Sequence, residues 1–189
     1  MKHLIIRALT GAAIATTVLM QSCSKDPDPI PVEDQENLQE VQVHFIKLDS
    51  VGHAYGDTTT MIVDKDGHVT SGNNQLLAEQ KYRMLLQLYS NEGLINQEIT
   101  EEGTEHQFFF QALPETGIQS YYYNDFDADN HGIGLDGQIK TGTGNFDLKV
   151  VLRHGLDKSH ASAQQWNSTN YQAAGGADDL NFSLPIALQ

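Results

Sequence analysis

The chain has 189 residues, with 25 Asp and Glu against 11 Lys and Arg and a formal net charge of −14 at pH 7. That balance argues against nucleic acid as a partner, because binding a phosphate backbone needs clustered cations that displace counterions, and it disfavours an anionic membrane surface for the same reason. Cys23 is the single cysteine, so no disulfide can form within the chain, and the fold must rest on a hydrophobic core of the kind that about 150 ordered residues can bury.

Residues 1–22 read as a lipoprotein signal peptide. Lys2 and Arg7 form a basic start, Ala8 to Met20 an apolar run, and Gln21-Ser22 the approach to a cleavage site before Cys23. The apolar run of about 13 residues is short of the roughly 20 needed to cross a bilayer. The expectation is a mature chain that starts at Cys23, carries lipid there and is anchored to the cell outer membrane. Its formal charge is then −16, since two cations leave with residues 1–22. Residues 23–37, with SKDPDPIPVEDQEN after the cysteine, are rich in Pro and acid and read as an extended tether. Lys25-Asp26 and the acids that follow are similar to the export tags of surface-exposed Bacteroidota lipoproteins; a plain solvated linker fits equally.

From Leu38 to Gln189 the apolar period is near two, which predicts a single all-β domain. Val41, Val43 and Phe45 alternate with polar neighbours, and Thr58 to Val63 is β-branched and followed by the turn signal Asp64-Lys65-Asp66-Gly67. Tyr82, Met84, Leu86 and Leu88 alternate again. Leu77, Tyr82, Leu85 and Tyr89 also lie on one helical stripe, so a helix is the alternative there. Further strands are expected over residues 105–111, 118–125, 132–140, 146–154 and 180–188. About eight short strands predict an antiparallel β-sandwich of the immunoglobulin-like or transthyretin-like kind, with a barrel as the second choice. The Gly142-Thr143-Gly144-Asn145 stretch is read as a hairpin turn, because no helical pattern follows it to make a phosphate cradle.

Registering the later strands as hairpins gives the sharpest site prediction. A hairpin turn at Pro114 to Gly117 puts His106 opposite Asp125, and one at Thr141 to Asn145 puts His154 opposite Gly132, so the loop Asp125 to Gly132 sits at the same rim. Parity then points His106, His131 and His154 to the core side. Imidazoles beside carboxylates suit zinc or a related divalent ion. Asp125, Asp127 and Asp129 alone have the alternate spacing of a calcium loop, with Asn130 at the sixth position and Asp136 at the twelfth. The candidate metal ligands are therefore His106, His154, Asp125, Asp127, Asp129 and His131, with zinc or calcium as the cation. The bland alternative is structural: turn-forming aspartates and histidines capped by carboxylates. No nucleophile is spaced with a base, and Ser159-His160 falls in an irregular stretch, so no catalytic residue is expected. Residues 155–179 form the longest aperiodic segment; His160, Trp166 and Tyr171 there either close over a site or tuck against the sandwich. Tyr122 faces away from Tyr121 and Tyr123, and an exposed aromatic face would suit sugar stacking.

The motifs EITEEGTEHQFFFQA, YNDFDADNHGIGL, LKVVLRHGLDK and GGADDLNFSLPIALQ resemble, in that order, a group of small Bacteroidota lipoproteins loosely labelled as a type 1 periplasmic binding fold superfamily. The matching positions are Glu105, His106, Gln107, Asp125, Asp127, Gly134, Leu135, His154, Lys158 and Gly175-Gly176; the chain departs from the pattern at Asp129, Asn130, His131 and Gly132. The label implies a large α/β protein, which this length and these strands do not support. The resemblance implies a role beside a TonB-dependent receptor in outer-membrane uptake. The expected function is then a non-enzymatic outer-membrane lipoprotein that binds a divalent metal or a small metal-bearing ligand. The alternative is a cell-surface carbohydrate- or protein-binding module with at most a structural calcium loop.

Overall fold

A computed structural model describes residues 38–189. The signal peptide, the lipidation site Cys23 and the tether of the sequence reading lie outside the described residues. Two mainly antiparallel sheets face one another, and the chain forms a β-sandwich and not a barrel. The first sheet holds β1 (Leu38–Lys47), β2 (Thr59–Asp64), β3 (Val69–Gly72), β5 (Lys81–Ser90), β6 (Gly93–Leu94), β8 (Ile118–Tyr123) and β9 (Asp136–Thr141), in the order β3-β2-β1-β5-β9-β8 with β6 added to β5. The second sheet runs β4 (Gln75–Leu76), β11 (Gly175–Leu188), β10 (Phe146–Leu156), β7 (His106–Leu113). Eight of these strands have six or more residues. One short helix, α1 (Asn96–Glu101), precedes β7, an element the sequence reading did not foresee.

Alternation builds the core. Val41, Val43 and Phe45 on β1 and Tyr82, Met84, Leu86 and Leu88 on β5 are buried, which settles the segment after Lys81 as strand. They meet Phe108 and Phe110 of β7, Leu148, Val150 and Leu152 of β10, and Phe182, Leu184 and Ile186 of β11. The other face of the second sheet is covered too. Phe109 and Val151 pack there with Leu156, Ala163, Tyr171 and Ala174, so the irregular segment between β10 and β11 folds over that face. Tyr171 stacks on Phe109 with ring centroids 5.2 Å apart. Of the two readings for this segment, tucking against the sandwich is the one observed for Tyr171.

Both hairpin registers are corrected by the sheet order. β7 and β8 belong to different sheets, and so do β9 and β10. The turns after Leu113 and Thr141 therefore carry the chain across the sandwich and do not pair its flanking strands. Close packing explains the crossings: Gly117 lies directly under the Phe146 ring, and Gly142 against the Thr116 carbonyl, with no room for a Cβ at either. The actual partner of His106 is His154, directly opposite it in the β7–β10 ladder. Gly132 instead bridges to Phe126.

Candidate metal centre

β7 starts and β10 ends at one rim, so the direct pairing stacks the two imidazoles, with centroids 4.5 Å apart and planes 28° apart. The third member comes from β11 and depends on a break in register. Leu152 pairs with Leu180 and Arg153 with Asp178, leaving Asp179 as an extra residue on β11. Such a bulge re-aims side chains. Simple alternation with Leu180, Phe182 and Leu184 would turn Asp179 outward. Past the bulge, Asp178 turns outward to Arg153 and to the Tyr171 hydroxyl, while Asp179 is directed to the histidines with a side chain only 2 % exposed.

Hydrogen bonds fix which nitrogen of each ring is protonated. His106 Nδ1 lies 3.2 Å from the Glu102 carbonyl oxygen. A carbonyl only accepts, so Nδ1 carries the hydrogen and Nε2 presents a lone pair. His154 Nε2 lies 3.3 Å from a Glu105 carboxylate oxygen, so Nδ1 is the lone-pair nitrogen of the neutral ring. Both lone-pair nitrogens lie 3.7 Å from the same atom, Asp179 Oδ2. His106 Nε2 and Asp179 Oδ2 are buried, and neither makes a hydrogen bond within the described residues. Two lone pairs facing a buried anionic oxygen repel one another unless a cation or extra protons lie between them. The tendency shows in His106. Burial pushes its imidazole down, but the Asp179 carboxylate and the Glu102 carbonyl outweigh burial and hold its pKa above the ordinary histidine value.

The donor chemistry fits a borderline transition-metal ion. The three donor atoms lie within 4.8 Å of one another; ligand atoms about 2 Å from a tetrahedral zinc ion are about 3.3 Å apart, close to the 3.7 Å separations here. Each imidazole also has an outer hydrogen-bond partner, the arrangement that orients metal-bound histidines and raises their basicity. Arg153 braces the bulge: it donates to the Gly175 and Gly176 carbonyls and to Asp178.

The remaining predicted ligands are engaged elsewhere. Asp125 accepts from the amides of Gly134 and Leu135 at 2.9 and 2.8 Å, closing its own loop; burial raises its carboxyl pKa against those amides. Asp127 accepts from the Asp129 and His131 amides at 2.9 and 2.8 Å, and it pairs with Lys158 Nζ at 2.8 Å with both side chains almost fully buried. Asp129 is exposed and gives that turn its amide. His131 lies 3.9 Å from Asp127 and is not one of the donors around the stacked pair. Asn130 does take a left-handed conformation, φ 63°. The calcium geometry is nevertheless displaced, because an ammonium occupies the cation's place and Asp136 is held by Arg83. Lys158 Nζ also donates to the Gly103 and His106 carbonyls at 2.8 Å each, so two hydrogen bonds and the ion pair hold the ammonium in place. This lysine matched the family pattern in sequence, but no spacing rule tied it to Asp127.

A second gathering lies at the β2–β3 turn, with Asp66 and His68 exposed and Asp64 half-buried, where Asp64 accepts from the Asp66 and His68 amides as an ordinary turn former. Tyr122 is exposed, while Tyr121 is buried on the opposite face. Among the described residues no helix is long and apolar enough to cross a membrane. The fold and the rim together define an all-β sandwich with a three-donor candidate cation site. Comparison of the chain with known protein families, with curated proteins and with solved structures finds no match.

Proposed function

We propose that this is a lipid-anchored outer-membrane protein that captures a divalent transition-metal ion, alone or within a small ligand, at His106, His154 and Asp179, and serves a TonB-dependent uptake system. One observation carries the metal reading: two imidazole lone pairs and a buried carboxylate oxygen converge with no hydrogen-bond donor of the described residues between them. The anchor rests on the signal sequence ending at Cys23, and the receptor on the family resemblance. Zinc is favoured over calcium, because two nitrogen donors and one oxygen suit the softer ion. The test is a zinc titration of the wild type, His106→Ala and Asp179→Asn against a chromophoric chelator. One zinc per chain in the wild type is expected. Each variant should lose more than the ~10–100-fold that removal of an outer hydrogen-bond partner costs. Equal affinity in all three would make the histidines structural.

The second reading, a saccharide- or protein-binding module, is favoured by a separate feature. A cleft of about 390 Å3 lies at the far end of β7, where Trp166 and Leu113 supply apolar surface and Gln119, Asn167 and Asp147 polar groups. Mixed lining of this kind suits an amphipathic ligand. Glycan binding lost in Trp166→Ala, together with absent zinc binding, would make this reading the better one.

A further inference from the structure

The protein offers three donors at the rim, and we infer that a bound divalent ion keeps a fourth position beside His154 that takes a small carboxylate. This deepens the metal reading above and rests on it. Among the described residues no fourth His, Cys, Asp or Glu joins the group. Structural zinc sites are closed by four protein donors, whereas sites with three retain a position for water or ligand. The group is sealed on the side of His106 and Asp179, whose side chains are 0 and 2 % exposed, and opens at His154, which is 21 % exposed. Glu105 is the neighbouring carboxylate, yet it bonds to Nε2 of His154, the nitrogen turned away from Asp179, and is 63 % exposed. It braces the ring from outside.

Charge selects the class of the fourth ligand. Both imidazoles are neutral when they coordinate, so Asp179 supplies the one negative charge of the donor set. A divalent ion then carries an excess positive charge in a largely buried position, which a fourth anionic donor offsets. The net charge of −14 repels free anions and attracts cations. A carboxylate therefore arrives most readily already attached to its metal, and a small metal carboxylate is the ligand the site fits.

The test uses cobalt(II) as the metal and acetate as the carboxylate, on the purified full chain. Cobalt loading should give an intense visible band, lost in Asp179→Asn, and acetate should shift that band saturably. A cobalt band that acetate leaves unchanged would show a closed site and overturn this inference, leaving the metal reading intact. Failure to bind cobalt at all would overturn the metal reading itself. An acetate response confined to Glu105→Gln would identify Glu105 as the fourth donor and equally overturn the inference.

Discussion

Replacing Lys158 by Met removes one partner of a buried pair and leaves Asp127 charged with its side chain 1 % exposed. The same change frees the Gly103 and His106 carbonyls, each 2.8 Å from the ammonium. Breaking a buried ion pair from one side costs about 3–5 kcal/mol. With a urea dependence of about 2 kcal/mol per molar, the unfolding midpoint should fall by roughly 2 M. Lys158→Met combined with Asp127→Asn should recover most of that loss, since the amide oxygen of the substituted side chain can still accept from the Asp129 and His131 amides while the unpaired charge is gone. The pH dependence gives a second readout. Burial pushes Asp127 up, but Lys158 and the His131 amide outweigh it and hold its pKa below the ordinary carboxylate value. A depressed carboxylate stabilises the fold above its unfolded value of about 3.9, and the contribution is lost as pH falls through the folded value. In Lys158→Met the cation is absent, burial wins, and protonation on acidification relieves the cost. The stability gap between wild type and variant should therefore narrow between pH 7 and pH 4. Urea titrations across that range, followed by tryptophan fluorescence, measure both effects. A single-variant loss below about 1 kcal/mol, or a gap that widens on acidification, would refute the buried-pair argument.

Gly176 has φ 74°, and an added Cβ would press into the His154 carbonyl oxygen. Gly176→Ala should therefore weaken zinc binding along with stability, read by chelator competition and urea unfolding; an unchanged zinc affinity would separate the start of β11 from the site. Gly117→Ala places a methyl into the Phe146 ring and should cost about 1–3 kcal/mol as overpacking, with zinc affinity unaffected at the opposite end of the strands. Arg153→Met removes the donors to Gly175, Gly176 and Asp178; it should lower zinc affinity by ~10–100-fold, as loss of an outer positioning partner does, and affinity within twofold of wild type would show that the bulge holds without it.

Particular residues show where the sequence was sufficient. The alternation at Val41-Val43-Phe45 and Tyr82-Met84-Leu86-Leu88 identified core faces because a half-buried strand leaves a period of two whatever its partner. Pairing was less legible. Pro114 to Gly117 and Gly142 to Asn145 have the composition of hairpin turns, yet both cross between sheets, because a short turn-rich link can cross as well as reverse. His106 and His154 were expected at one rim through two hairpins, and they meet there through a β7–β10 ladder that neither hairpin predicted. Asp179 was missed for a definite reason: parity assigns it outward, and only the bulge opposite Leu152 and Arg153 turns it in. Asp127 of the aspartate loop pairs with Lys158, 31 positions away in the chain, a partner that no local spacing could indicate.

That lysine changes how the rim can be understood. His106 takes part in two charge arrangements at once: its carbonyl holds the Lys158 ammonium, and its ring, fixed through Glu102, faces Asp179. The first cation is covalently tethered and always present, so it can order the start of β7 without any ligand. In the second group His106 Nε2 and Asp179 Oδ2 make no hydrogen bond within the described residues. Arg153 on the same strand end is spent on the outer face with Asp178. The bulge thus sends Asp178 to a resident guanidinium and turns Asp179 to the two histidines, where its charge is offset once an imidazole is protonated or a cation is bound.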